Sequence, residues 1–369
     1  MKVKVLKVIW YKVIWYKVKC LKVKCFKVTL LIIGTLISFL CCTFNSALSA
    51  REKSVLSSQA VYKTSGCQEK KIVHNGLTRT YIVHIPPQYD SQNDSQNDSQ
   101  KKVPLLLFFH GGGGNAGHAL ASYGILEKAD KEGFILAAPQ GTGFFKRIRT
   151  WNVKFGFGYA KRNNIDDIGF VRKLISELKG DYKIDSNRIF AAGMSNGGFL
   201  CHFLAAALSD EIAAIAPVAA SIGGRESFLE GNESSEEDYI FPTLPEKPVS
   251  VIAFNGLADK HVPYYGGLQE KYAGARPVYI TSAQQMHAFW IKANQCLPKA
   301  QIFRDPLNQY KKITYRGKEN TEIVQYIIFD HGHSWPGGRV LRLGRGDVPC
   351  KAVNATDVMW EFFKSHPKR

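Results

Sequence analysis

Two hydrophobic rhythms alternate along the chain. Pro104–Phe109 is a short continuous apolar run, as expected of a strand covered on both faces. Gly133–Pro139, Arg188–Ala192, Ile212–Val218, Val249–Phe254 and Glu322–Phe329 read as further strands, and Thr80–Ile85 alternates in strand fashion. Between these runs lie helical patterns at Ala116–Lys131, Asn196–Leu208, Thr281–Ala293 and Ala355–Phe363. Asp166 and Asp167 open one more, whose apolar face is Ile168, Val171, Leu174, Ile175 and Leu178; two acids suit the positive end of a helix. Strands alternating with helices across short loops predict an α/β fold. Its sheet is expected to be doubly wound and mostly parallel, with helices on both faces and ligands at the carboxyl ends of the strands.

No linker divides residues 60–369, so residues 71–369 are expected to form a single domain, with residues 51–70 as an N-terminal extension. The tandem repeat Asp90-Ser91-Gln92-Asn93 and the acidic stretch Arg225–Asp238 read as polar surface insertions.

Composition adds that the core can be full-sized: of 369 residues, 45% are hydrophobic. The formal charge of +18 suggests nucleic acid until it is located. Residues 1–28 hold nine lysines and no acid, and residues 29–50 hold no charge, which leaves +9 for residues 51–369. That remainder has no Lys/Arg stripe and no nucleic-acid motif, so no nucleic-acid partner is expected. The lysine-rich stretch, the apolar run Thr29–Phe44 and the small residues up to Ala50 read as a signal peptide or, uncleaved, a membrane anchor. Either way residues 51–369 are expected outside the cytoplasm, secreted or in the cell envelope. Four cysteines follow the leader: Cys67, Cys201, Cys296 and Cys350. Cys201 lies on an apolar helix face and is expected to be a buried thiol, and Cys296–Cys350 is the favoured bridge. No metal-ligand spacing occurs, and no metal or cofactor is expected.

The candidate chemistry lies at strand ends. Gly193-Met194-Ser195-Asn196-Gly197 fits G-x-S-x-G between a strand and an apolar helix, the setting in which a serine is lifted above a sheet as a nucleophile. Such a serine needs a base, and the base needs an orienting acid. In the order serine, acid, histidine, Asp259 follows the strand Val249–Phe254 and His333 follows Glu322–Phe329. Asp330 and His331 are rivals by chemistry, although His331 also reads as a solvated loop residue and His261 as a residue of the rim. Asp166 and Asp167 are better explained as helix-start acids. His110-Gly111-Gly112-Gly113-Gly114, after a buried strand, has the flexibility for a backbone N–H to approach an oxyanion, with Asn196 N–H as second donor. His110 itself reads as a structural support for that loop.

These segments resemble the polyhydroxybutyrate depolymerase/feruloyl esterase branch of the α/β-hydrolases. The likeness is carried by His110–Gly114, Trp151-Asn152, Asp166–Phe170, Gly193–Gly198, Gly256–Tyr264, Gly332–Gly337 and the late Ala355-Thr356 with Trp360–Phe363, over roughly residues 70–365. It implies an α/β-hydrolase fold and an esterase with Ser195, Asp259 and His333 as catalytic triad. It also implies Gly112 and Asn196 as oxyanion donors, and Trp151 and Trp335 as the lining of an acyl or alcohol pocket. The expected substrate is an ester, of hydroxyalkanoate oligomers or of phenolic or polysaccharide type. The alternatives are an oligopeptidase-type serine peptidase and a catalytically silent binding protein on the same scaffold.

Overall fold

The computed structural model describes residues 66–91, 102–144, 148–156, 158–226, 238–269, 278–339 and 347–369. The leader, almost all of the Asp90–Lys101 repeat and most of the Arg225–Asp238 insertion lie outside the described residues. Among the described residues, no helix is long and apolar enough to cross a membrane.

Ten strands form one sheet. In chain order they are β1 (Cys67–His74), β2 (Leu77–His84), β3 (Val103–Phe109), β4 (Ile135–Pro139), β5 (Ile184–Met194), β6 (Ala214–Val218), β8 (Ser250–Gly256), β11 (Gln301–Arg304), β12 (Tyr310–Arg316) and β13 (Glu322–Ile328). A three-stranded sheet holds β7 (Gly224–Glu226), β9 (Gly267–Leu268) and β10 (Val278–Ile280). The large sheet runs β1-β2-β4-β3-β5-β6-β8-β13-β12-β11. Strands β4, β3, β5, β6, β8 and β13 are parallel neighbours, and antiparallel strands flank them on both sides.

Successive residues of β3 feed two cores. Leu105, Leu107 and Phe109 pack on one face, Leu106 and Phe108 on the other, and all five are fully buried. The first face is covered by α3 (Asp167–Asp181) and α4 (Asn196–Ala207), with Met286 and Trp290 of α5 (Ala283–Ala293). The second is covered by α1 (Ala116–Ser122), α2 (Ile125–Glu132) and α6 (Ala355–Ser365). The doubly wound α/β architecture expected from the hydrophobic pattern is the one observed.

Several local expectations change. The single helix expected over Ala116–Lys131 is two, because Gly124 takes a left-handed conformation (φ +66°) between them. Gly133 (φ +73°) ends α2 instead of starting a strand. Cys67–Lys70, expected in the extension, belong to β1. Strands β11 and β12 had no apolar signature: the four residues of β11 are all exposed, so no buried face imprinted a pattern. The Cys296–Cys350 bridge does not form. Both are free thiols, and Cys296 packs against the core on one face of the sheet while Cys350 packs against the other. Cys201 is buried, as expected, and burial holds its thiol far above the ordinary range.

Candidate functional site

Ser195 stands between β5 and α4 with φ +54° and ψ −121°, a backbone conformation that L-residues rarely adopt and that costs about 1–3 kcal/mol. The turn is held from both sides: Ser195 N–H donates to Val218 O (2.8 Å), and Ser195 O accepts from Phe199 N–H (2.9 Å). The flanking glycines are required by packing. A Cβ on Gly197 would lie 2.4 Å from Phe109 O, and one on Gly193 would lie 2.6 Å from the Gly197 carbonyl group.

The loops after β8 and β13, parallel neighbours at the same sheet edge, are bonded together. Leu257 N–H donates to Ile328 O (2.9 Å) and Ala258 N–H to His331 O (3.0 Å). On this frame Asp259 Oδ2 lies 2.8 Å from His333 Nδ1. The other carboxylate oxygen, Oδ1, accepts from the amides of His261 and Val262, each at 2.8 Å. Asp259 and His333 are both buried. A carboxylate on Nδ1 fixes that nitrogen as N–H and leaves Nε2 as the basic atom.

The glycine loop packs against Ser195. A Cβ on Gly111 would lie 3.6 Å from Ser195 Cβ. Gly113 N–H donates to Arg149 O (2.7 Å) and Gly114 N–H to Gly111 O (3.0 Å), while Gly112 is exposed at the turn. His110 anchors the loop from beneath, as expected. Its Nε2 accepts from Gly141 N–H (3.0 Å), which makes Nδ1 the protonated nitrogen, donating to Gly111 O (2.8 Å). Burial pulls the His110 imidazole down to about 4, so it stays in this neutral form.

Asn196 carries a side-chain clamp that its sequence position did not advertise. Its Oδ1 accepts from Trp151 N–H (2.7 Å) and its Nδ2 donates to Trp151 O (3.2 Å), which ties the Trp151 loop to the residue after Ser195.

Trp151 and Trp335 are in the site region but do not present open walls. Both rings are closed off from solvent. Trp151 donates its indole N–H to His110 O (2.9 Å), and Trp335 donates to Thr356 Oγ1 (3.0 Å). Both indoles thus also brace loops of the site, Trp151 the glycine loop through His110 and Trp335 the histidine loop through Thr356. His331 is corrected as well: it is 2% exposed, its Nε2 pairs with Ser334 O (3.0 Å), and burial lowers its pKa. His261 is half-buried, its ring 5.2 Å from that of His333. Asp166 caps α3 by accepting from Gly169 N–H (2.9 Å), but Asp167 does more than begin a helix. It is buried, accepts from Arg79 Nη2 (2.7 Å) and from Asn152 N–H (2.8 Å), and so holds the segment after Trp151.

Two contributors left no signal in the sequence. Asp347 Oδ2 accepts from His333 N–H at 2.5 Å, although 14 positions separate the residues. Arg79 lies on β2, far in sequence from the loop it supports through Asp167. Among the described residues no group of His, Cys, Asp and Glu could hold a metal ion. The structure thus joins Asp259 to His333 directly. Ser195 stands at the same sheet edge, and between the neighbours of the two loops Tyr123 OH donates to Met194 Sδ (3.2 Å) while the Tyr123 ring stacks on Trp335 (4.7 Å, 19°).

Known proteins sharpen the assignment. No family model matches the chain. It is 29% identical over 196 residues to feruloyl esterase B of Piromyces equi, a match covering 53% of this chain and 33% of that protein, so it spans a third of that relative's length. It is 25% identical over 319 residues to the Aspergillus flavus protein named "Probable feruloyl esterase C", covering 84% of this chain and 94% of the relative. Among solved structures, native pOPH superposes with a TM-score of 0.51 at 16% identity, over 82% of this chain and 87% of that one, a likeness of fold. The order of the parallel strands, the strained serine turn between β5 and α4 and the likeness to pOPH agree on an α/β-hydrolase fold, and in sequence the chain is similar to ester-hydrolysing enzymes of the feruloyl esterase type.

Proposed function

We propose that the chain is an exported serine carboxylic ester hydrolase in which Ser195, His333 and Asp259 act as the triad, on phenolic esters of the feruloyl type. The observation that carries the reading is the buried Asp259–His333 pair, 2.8 Å apart, on the same sheet edge as a serine held at φ +54°. With Nδ1–H directed at Asp259, Nε2 of His333 takes the proton from Ser195 Oγ as that oxygen attacks the ester carbonyl. The carbonyl oxygen becomes an oxyanion, for which the backbone N–H groups of Asn196 and Gly112 are the donors; one such donor is worth about 10²–10³ in rate. His333 then passes the proton to the departing alcohol, leaving an acyl-Ser195 ester. Water, deprotonated by the same imidazole, attacks that ester and releases the acid and the free serine. The phenolic preference rests on the two relatives named as feruloyl esterases, and export rests on the lysine-rich and apolar leader.

The test has two arms. A fluorophosphonate probe should label the wild type and leave Ser195→Ala unlabelled; equal labelling would end the assignment of the nucleophile. In a panel of feruloyl esters, acetylated sugars, hydroxybutyrate oligomers and short nitrophenyl esters, kcat/KM should be greatest on the feruloyl esters. A maximum on hydroxybutyrate oligomers would reassign the substrate and leave the chemistry standing.

A further inference from the structure

The reading above needs Ser195 and His333 to meet, yet they sit on loops after strands that are not neighbours: β6 and β8 lie between β5 and β13. Strand pairing relates them only through the ends of those two intervening strands. One side chain touches both ends of the gap. The Tyr123 hydroxyl donates to Met194 Sδ at 3.2 Å, and Met194 is the residue immediately before Ser195. The ring of the same tyrosine stacks on Trp335 at 4.7 Å and 19°, and Trp335 is two residues after His333. Ser334 N–H donates to Gly332 O (3.0 Å), which closes a tight turn around His333 that Trp335 directly follows. Tyr123 is itself locked in place. Its carbonyl accepts from Thr356 Oγ1 (2.6 Å), and that hydroxyl in turn accepts from Trp335 Nε1 (3.0 Å). Tyr123, Trp335 and Thr356 therefore close a ring of contacts among the α1–α2 connection, the histidine loop and the start of α6.

We propose that Tyr123 is a positioning residue that sets the separation of Ser195 and His333, acting through Met194 on one side and Trp335 on the other. The inference rests on the triad reading. Burial pushes the Tyr123 phenol up to about 12, so it keeps its proton, and with it its donor role, across the range in which an esterase is assayed. A thioether is a weak acceptor, so the contact adds little to stability. Its effect should fall on rate, since a displacement of about 1 Å between reacting groups can cost about 10²-fold.

The experiment compares Tyr123→Phe, Met194→Leu and the double variant with wild type on a nitrophenyl ester. Each single variant should lower kcat about 10-fold with KM unchanged, and should slow fluorophosphonate labelling by the same factor while the melting temperature holds. The double variant should be no slower than either single one, because both remove the same contact. Additive losses, an unchanged kcat in Tyr123→Phe, or rate losses that merely track melting temperature would overturn the proposal. Ser195→Ala separates the two ideas. If it stays active, the triad reading fails; if it is dead while Tyr123→Phe is normal, only the role of Tyr123 fails.

Discussion

Asp259 divides its carboxylate between two tasks: Oδ2 holds His333 Nδ1 at 2.8 Å, and Oδ1 is held by two amides of its own loop. The acid is thus fixed by its backbone before it fixes the imidazole. Asp259→Asn keeps an acceptor for the two amides but turns an NH₂ toward Nδ1. The imidazole must then carry its proton on Nε2, where it cannot accept one from Ser195. The expected result is a fall in kcat of about 10³–10⁴-fold with unchanged circular dichroism. A near-normal rate would move the orienting role to another acid.

Asp347 holds the histidine loop from the other side, through His333 N–H. Its Oδ2 would lie 1.9 Å from a Cβ on Gly332, so the glycine and the acid are packed as a pair. Asp347→Ala should lower kcat between about 10- and 100-fold, and Asp347→Asn, which retains an acceptor oxygen, should recover most of the loss. Steady-state kinetics on an aryl ester check both; equal rates for Ala and Asn would show that the acceptor is immaterial.

The serine turn predicts a contrast between two glycines. A Cβ on Gly197 would meet the carbonyl oxygens of Phe109 and His110 at 2.4 and 2.6 Å, and these backbone atoms cannot rotate away. Gly197→Ala should cost about 3 kcal/mol or more in urea unfolding. Gly180, on α3, has nothing within 4 Å of such a Cβ, and Gly180→Ala should gain about 0.5–1 kcal/mol. Similar values for the two would contradict the packing described.

Two buried histidines contribute to the acid side of stability. Burial lowers His110 to about 4 and His202 to about 3, against an ordinary value of 6.5. Between those values the unfolded chain binds more protons than the folded one, so stability is full above about 6.5 and falls as the pH drops toward 4 and then 3. The loss should approach roughly 1 kcal/mol per pH unit for each imidazole. His202 Nδ1 accepts from Trp290 Nε1 (3.0 Å), a bond that a glutamine oxygen can replace, so His202→Gln should flatten the decline. Thermal melts from pH 7.5 to 4.5 measure this, and a flat wild-type profile would contradict it.

The sequence by itself determined the layered sheet and the three residues at its edge. Fully buried parallel strands leave continuous apolar runs, and a serine lifted between strand and helix leaves glycines where Phe109 O and His110 O allow no side chain. Such signals are local, so they survive in a one-dimensional reading. What only the tertiary structure decided were contacts between segments far apart in the chain. Asp347 on His333 N–H, Arg79 on Asp167, Asn196 on the Trp151 backbone and Tyr123 between Met194 and Trp335 each join segments far apart in the chain, and no motif names both partners of a contact. The same limit misplaced the disulfide and hid how deeply the tryptophans are buried. Whether a Trp faces a cleft or a core, and whether two cysteines share a face of the sheet, depends on how the layers close, and closure is a property of the packed chain as a whole.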